Sequence, residues 1–199
     1  MNRRHFLFLA AIALVLSGPL NTQADGVEEA IKDIRAKYNQ IEGWKKRAQK
    51  IEFEADGEPF FGTLTRYYSG ESIVKIDFSY TAGDHGGSDE SYYYDNGQLF
   101  FIYAADSYWS FTGNTLPTGE SETKDTLIEQ RLYFSNNQLI RHLRKEVSST
   151  NPEALKSLVT KADNQPYQDS ETANRLFLRG IKLPFISTTE EIEALVFSE

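Results

Sequence analysis

Asn96 and Gly97 stand between two runs of aromatic and aliphatic residues, and this pair constrains the fold more than any other feature of the chain. A two-residue turn of type I′ needs positive φ at both positions, and Asn-Gly adopts it readily. Counting outward from such a turn pairs Tyr93 with Phe100, and cross-strand partners share one face. Residues 91–103 are therefore predicted to form a tight β-hairpin.

The same pattern returns further along the chain. Residues 132–140 align position by position with residues 92–100, with Asn137 in the place of Gly97, and Asn tolerates positive φ better than most residues. Residues 66–70 form a weaker third copy. The aromatic-x-Asn-Gly-Gln-Leu pattern resembles the variant MORN-like hairpins, and the chain also resembles exported bacterial periplasmic proteins that carry such hairpins. The resemblance implies a style of fold and no activity.

Period-two alternation extends this hairpin signal over residues 49–146, most clearly from Val74 to Tyr80. Short strands joined by tight turns predict an antiparallel meander, because parallel strands would need long crossover connections. We expect a single curved sheet of about eight strands. The polar segment 112–126 is predicted to be a mobile loop between two of them.

Amphipathic helices are predicted on both sides of the sheet region, at 27–41, 151–162 and 188–196, while 165–186 stays ambiguous. Asn151 followed by proline, and a capping box from Thr188 to Glu191, mark two of the helix starts. The expected fold class is α+β. It is one domain over residues 25–199, with N-terminal and C-terminal helices packed on one face of the sheet.

The first 24 residues have the pattern of an export signal. Arg3 and Arg4 precede an apolar run at 6–16, and Ala24 offers the small residue that signal peptidase prefers. The run is too short to span a membrane. The same arginines also resemble the twin-arginine motif, so the export route stays open. With no cysteine, a lipoprotein anchor is not expected, and the predicted location is the bacterial periplasm or the exterior.

The composition and the absent motifs narrow the function. A formal net charge of −8 disfavours nucleic acid and anionic lipid as partners, since both need a basic surface. The chain carries no nucleotide-binding glycine loop, no nucleophile elbow and no zinc-protease motif. We therefore expect a non-catalytic binding or interaction protein, without cofactor or metal site. Its expected partner is an unknown protein or a small apolar ligand in the cell envelope.

The predicted binding surface follows from the hairpin faces. Tyr92, Tyr94, Leu99, Phe101 and Tyr103 are expected on the covered face. An exposed strip on the second face is expected to carry Tyr93, Phe100, Ile102, Tyr133, Ile140 and His142. The basic patch beside it consists of Arg141, Arg144 and Lys145, of which the two arginines are expected to contribute to binding. The loops 81–90 and 112–126 offer a further interaction surface.

Two alternatives remain open at this level. One is a carrier for an apolar ligand, in which the sheet curls like a half-barrel and the C-terminal helix acts as a lid; it requires a cavity of roughly 300 Å³ or more between sheet and helices. The other is a hydrolase or metal enzyme centred on His85 or His142, which requires that histidine to lie beside a carboxylate or hydroxyl in a cleft.

Export through residues 1–24 makes a direct prediction about the mature chain. Expressed in a bacterial host, the protein recovered from the envelope fraction should begin at Asp25, as measured by N-terminal sequencing or intact mass. Ala24→Phe should leave the uncut precursor, because signal peptidase needs a small residue before the cut. A mature chain that still carries Arg3 would contradict the prediction.

Overall fold

The computed structural model describes residues 22–57 and 59–197, so the predicted export signal lies outside it except for its last three residues. Eight strands form one sheet: β1 (Arg47–Glu54), β2 (Phe60–Ser69), β3 (Ser72–Ala82), β4 (Gly86–Asp95), β5 (Gln98–Thr115), β6 (Ser121–Ser135), β7 (Gln138–Ser149) and β8 (Gln165–Pro166). The helices are α1 (Thr22–Gly43), α2 (Leu155–Lys161), α3 (Ser170–Lys182) and α4 (Thr189–Phe197), with a 3₁₀ turn at Pro152–Ala154. Among the residues described, no helix has the length and apolarity needed to cross a bilayer.

The sheet is an open antiparallel meander, in which every strand pairs with its neighbours in chain order from β1 to β8. The α+β class and the eight-stranded meander are therefore confirmed. The eighth strand is only two residues long and follows α2, so the long strands number seven. The predicted mobile loop at 112–126 is wrong, because β5 and β6 run through most of it and leave a connection only at 116–120.

Three hairpins share one local irregularity. Asn96, Gly97, Asn136 and Asn137 all have positive φ, which confirms the two predicted type I′ turns. Two pairs beyond each hairpin tip, however, the register shifts by one residue. The extra residue, a β-bulge on the returning strand, is Val74 in β3, Phe100 in β5 and Ile140 in β7. The weak third copy at 66–70 thus belongs to the same structural repeat.

The bulges change the facing of every residue beyond them. Tyr93 pairs with Phe101 and Tyr92 pairs with Ile102, where a regular hairpin would pair them with Phe100 and Phe101. The predicted faces are therefore right for Leu99 and Phe100 and wrong from Phe101 onward. Phe100, Phe101 and Tyr103 share the face of Tyr93, while Ile102 and His142 lie on the face of Tyr92.

Helices cover both faces of the sheet, so the expected packing of all helices on one face is wrong. We call the face of Tyr92 the first face; α3 and α4 pack on it through Leu176, Leu183 and Ile192. The second face, that of Tyr93, is covered at the hairpin tips by α1 through Ile31, Ile34 and Ile41. Since the central strands carry apolar side chains on both faces, each face needs a cover.

The helix starts follow the predicted signals. Asn151 accepts a hydrogen bond from the backbone N–H of Glu153 at 3.1 Å. The capping box is present, with Thr188 Oγ1 accepting from Glu191 N at 3.3 Å and Glu191 Oε2 accepting from Thr188 N at 3.2 Å. The ambiguous segment contains α3, whose N-cap is Asp169. After α2, β8 pairs with the edge of β7 and carries the chain round to the first face.

Helix α3 approaches the sheet closely at Gly180. A Cβ built there would lie 2.7 Å from side-chain carbons of both Leu99 and Tyr92. The hydroxyl of Tyr94 donates a hydrogen bond to Gly180 O at 2.6 Å. At the end of the helix, buried Arg66 donates to Leu183 O and Ile186 O, where the helix dipole favours a cation.

We expect Gly180→Ala to destabilise the fold. Alanine gains about 0.5–1 kcal/mol over glycine inside a helix, but overpacking against two buried side chains costs about 1–3 kcal/mol. The expected result is a net loss of about 1–2 kcal/mol in urea denaturation. Gly43→Ala is the control, because a Cβ there meets nothing within 4 Å, and it should change stability by less than about 0.5 kcal/mol. Equal effects of the two substitutions would contradict the close approach of α3.

Candidate functional site

A row of aromatic cross-strand neighbours runs across the second face beneath α1. Tyr93, Phe101 and Tyr133 occupy matching positions on β4, β5 and β6. The Phe101 ring centroid lies 5.6 Å from that of Tyr93 and 5.0 Å from that of Tyr133, and Tyr38 of α1 packs edge-on against Tyr93 at 5.0 Å. We call these four residues the aromatic ladder. Such ring pairs add about 0.5–1.5 kcal/mol each beyond their area burial.

A half-open cavity of about 410 Å³ lies between α1 and this ladder. The ladder forms its walls together with Ile34, Arg35 and Asn39 of α1 and with Tyr103 and Arg131 of the sheet. Its volume falls within the range of small-molecule sites, about 300–1,000 Å³. We call it the α1 pocket.

The charged residues lining the α1 pocket are both arginines. Arg35 lies over the Tyr133 ring at 5.9 Å, and Arg131 lies over the Tyr103 ring at 5.1 Å. Arg131 also forms an ion pair with Glu129 at 3.1 Å. Because Lys145 pairs with the same carboxylate at 3.1 Å, the net charge of these three groups is +1. In a protein with a net charge of −8, this pocket favours an anionic group.

Two pocket tyrosines are held in the neutral form. Burial, with Glu129 beside the hydroxyl, raises the pKa of Tyr103 to about 12. Burial also raises the pKa of Tyr93, and so does the nearby carboxylate of Glu42, which accepts a hydrogen bond from the Tyr93 hydroxyl at 3.0 Å. The two hydroxyls therefore stay protonated, and Tyr93 donates its proton to Glu42.

The exposed aromatic strip predicted for the second face is wrong. Tyr93, Phe100 and Tyr133 are no more than 6% exposed, because α1 covers them. Tyr93 and Tyr133 nevertheless line the α1 pocket, whereas Phe100 packs in the core beside it.

The predicted basic patch is divided between different partners. Arg141 forms an ion pair with Glu28 of α1 on the second face. Arg144 bonds Glu146 at 2.5 Å and lies over the Tyr167 ring at 4.9 Å. These two arginines therefore do not converge on one site.

Among the described residues, neither His85 nor His142 has a hydrogen bond to a carboxylate or hydroxyl. His142 is buried on the first face, where its Nε2 bonds Gln130 Oε1 at 2.9 Å while its Nδ1 has no hydrogen-bond partner. His85 stacks on Trp109 with centroids 4.2 Å apart. In the described part of the chain, no three His, Asp or Glu residues lie close enough to hold a metal ion.

Buried polar side chains on the first face form a second cluster. Glu90 and Arg179 are each 1% exposed and pair at 2.5 Å. Glu90 also accepts from the hydroxyls of Tyr92 and, at 3.2 Å, Ser88. The hydroxyl of Ser88 also lies within hydrogen-bond distance of Asp106 Oδ1, at 2.7 Å. Gln130 Nε2 donates a hydrogen bond to Asp106 Oδ2 at 3.4 Å. Helix α3 covers the ion pair, so we interpret this cluster as structural and not as a binding site.

Several pocket residues are ones that the sequence analysis did not select: Arg35, Tyr38, Phe101, Tyr103 and Arg131. Tyr38 follows Ile34 by four residues and Arg35 by three, and this helical spacing indicates that the three residues lie on the same side of α1. Phe101 and Tyr103 were assigned to the opposite face because the bulge carries no recognisable pattern.

Comparison with known proteins leaves the fold and the pocket as the basis for inference: no family model, no curated protein and no solved structure matches this chain.

His142 should make stability depend on pH. Burial lowers the pKa of His142, reinforced by Arg144 and opposed by Asp169. The neutral ring is thus favoured in the folded state, and as pH falls below about 6.5 the unfolded chain takes up the proton first. Stability should be full above that pH and fall below it, by up to about 1.4 kcal/mol per pH unit.

The variant His142→Gln should reduce this loss, since its amide can still donate to Gln130 without titrating. The measurement is urea denaturation between about pH 7 and pH 5. His85→Gln serves as the control, because His85 is exposed. If His142→Gln loses as much stability as the parent protein over this range, the buried neutral histidine is refuted.

Proposed function

We propose that this chain is a non-catalytic binding protein of the bacterial cell envelope, and that its ligand occupies the α1 pocket. The ligand class is a small molecule with a planar, apolar body and one negatively charged group. The observation that carries this proposal is the cavity of about 410 Å³ lined by aromatic rings and two arginines.

The wall chemistry supports each part of that ligand. Flat, apolar molecules stack on aromatic side chains, and Tyr38, Tyr93, Phe101 and Tyr133 present four rings within about 6 Å of their neighbours. Arg35 and Arg131 reach the pocket from opposite walls, α1 and β6. A guanidinium binds carboxylate, sulfonate or phosphate through paired N–H donors.

The pocket also supports a carrier role, with a different element as lid. A cavity of the required size lies between the sheet and a helix, but that helix is α1 and not the C-terminal helix. The space under α3 and α4 is filled by apolar side chains such as Leu176, Leu183 and Ile192. Helix α1 contributes one wall of the pocket, so a small displacement of this helix would open it.

Two dyes that differ by one charge test the proposal. 8-Anilino-1-naphthalenesulfonate carries an anionic group, and N-phenyl-1-naphthylamine has the same ring system without it. Both fluoresce on entering an apolar site. We expect the sulfonate dye to bind more tightly to the protein, with Arg131→Gln weakening it about tenfold and changing the neutral dye less than about twofold. Lys32→Gln, an exposed charge change on α1 outside the pocket, should alter neither.

A bulky substitution in the lining of the α1 pocket tests whether the dyes bind there. Asn39→Trp should abolish binding of both dyes, because Asn39 lines the pocket, whereas Gln40→Trp on the same helix should leave both dyes bound. Thermal unfolding of each variant confirms that it folds. Unchanged dye binding by Asn39→Trp would place the dyes elsewhere and refute the pocket as the site.

A further inference from the structure

A second concave region lies on the same face of the sheet, beyond the reach of α1. It is an open cleft of about 1,130 Å³ that runs across the strands from β1 to β6. Its floor includes short side chains from neighbouring strands: Thr63 lies opposite Ser79, and Ser107 lies opposite Gly87. Because these side chains are small where those under α1 are aromatic, the sheet surface is recessed here. We call this region the trough.

Aromatic rings stand at the rim of the trough. Phe61 is half exposed on β2. Across the floor, Trp109 on β5 donates from its indole Nε1 to Asp84 O at 2.9 Å and stacks on His85. The indole is thereby fixed in orientation beside the trough. A fixed ring at the edge of a recess is suited to stacking against a guanidinium or an ammonium-bearing chain.

The charged residues that line the trough are all acidic: Glu52, Glu54, Asp84, Asp89 and Asp125, with no lysine or arginine among the lining residues. Lys50, just outside the lining, pairs with Glu52 at 2.7 Å, so the other four carboxylates supply the negative charge that a ligand would meet. They are spread from β1 to β6, and with strands about 4.8 Å apart this is a span of about 24 Å. Over the described residues no three acids are close enough to hold one metal ion. The distribution therefore matches a chain with several positive charges and not a single cation.

From this complementarity we propose that the trough binds an extended, arginine- or lysine-bearing peptide segment of a partner protein. A span of about 24 Å accommodates about seven extended residues. The volume of the trough is larger than that of most small-molecule sites, so a slender polyamine would fill only part of it. Basic side chains place their charge against the carboxylates and their stems or guanidinium planes against Trp109 and Phe61. This site is separate from the α1 pocket and does not depend on the function proposed for it.

Trp109 provides a direct readout of binding. The chain has two tryptophans, so Trp44→Phe leaves Trp109 as the sole indole. In that background, a heptapeptide of alternating arginine and threonine should change the Trp109 emission and saturate. The same peptide with glutamate in place of arginine should not. Because exposed charge pairs are screened, affinity should fall as salt is raised from about 0.02 M to about 0.5 M.

Isosteric substitutions test the location. Asp89→Asn and Asp125→Asn should each weaken the arginine peptide about two- to fivefold, the effect of losing one exposed charge pair. Glu71→Gln, the same loss of charge at the β2–β3 hairpin tip outside the trough, should leave the affinity unchanged. Thermal unfolding checks each variant, and Asp125→Asn suffices if Asp89→Asn does not fold.

Three outcomes would overturn the proposal. The first is an absence of saturation up to about 1 mM peptide at low salt. The second is an equal weakening by Glu71→Gln and the two trough variants, which would mean attraction to the overall charge alone. The third is spermine binding at Trp109 at least as tightly as the peptide, which would assign the trough to polyamines.

Discussion

The β-bulge two pairs beyond each hairpin tip determines which side chains meet which helix. A bulge places two residues of one strand opposite one residue of its partner and turns the later side chains to the other face. Through Phe100, it brings Phe101 and Tyr103 to the side of Tyr93. The same shift at Ile140 sends His142 to the first face. Without the bulges, the aromatic ladder and the α1 pocket would not form.

The bulge also explains why both faces need helices. A regular half-buried sheet would leave one face polar and solvated. Here the central strands carry apolar side chains on both faces near the hairpin tips, and α1 covers one face while α3 and α4 cover the other. Away from the tips the second face changes to Thr63, Ser79 and Ser107. That change in side-chain size, within one face, separates a covered pocket from an open trough.

The two recesses on the second face differ in charge as well as in cover. The charged residues lining the α1 pocket are Arg35 and Arg131, whereas those lining the trough are carboxylates, of which Glu52 is paired with Lys50. Low-dielectric walls focus such fields, so each recess favours ligands of one sign. An overall net charge of −8 conceals this division. The overall composition disfavours nucleic acid as a partner but gives no sign of a local cationic pocket.

Local chemistry made much of the fold predictable. The positive φ required at Asn96 and Gly97, the capping box at Thr188 and the alternation in β3 each depend on neighbours in sequence, and all three appear in the structure. The facing could not be predicted beyond the bulge at Phe100. Residues 99–102 are all apolar, so they carry no alternation from which the extra residue at Phe100 could be read. The pocket depended on that facing, and its lining residues were missed for the same reason.

The register of α3 is fixed by contacts that a purely apolar helix would lack. Gly180 lets the helix backbone approach Tyr92 and Leu99, and this proximity brings Arg179 within reach of Glu90. Replacing a buried pair by apolar residues is often neutral, but removing one partner leaves an uncompensated charge and costs about 3–5 kcal/mol. A slip of α3 by one residue would separate the pair and press a side chain against Tyr92. We therefore infer that the ion pair acts against alternative packings of α3 on the first face.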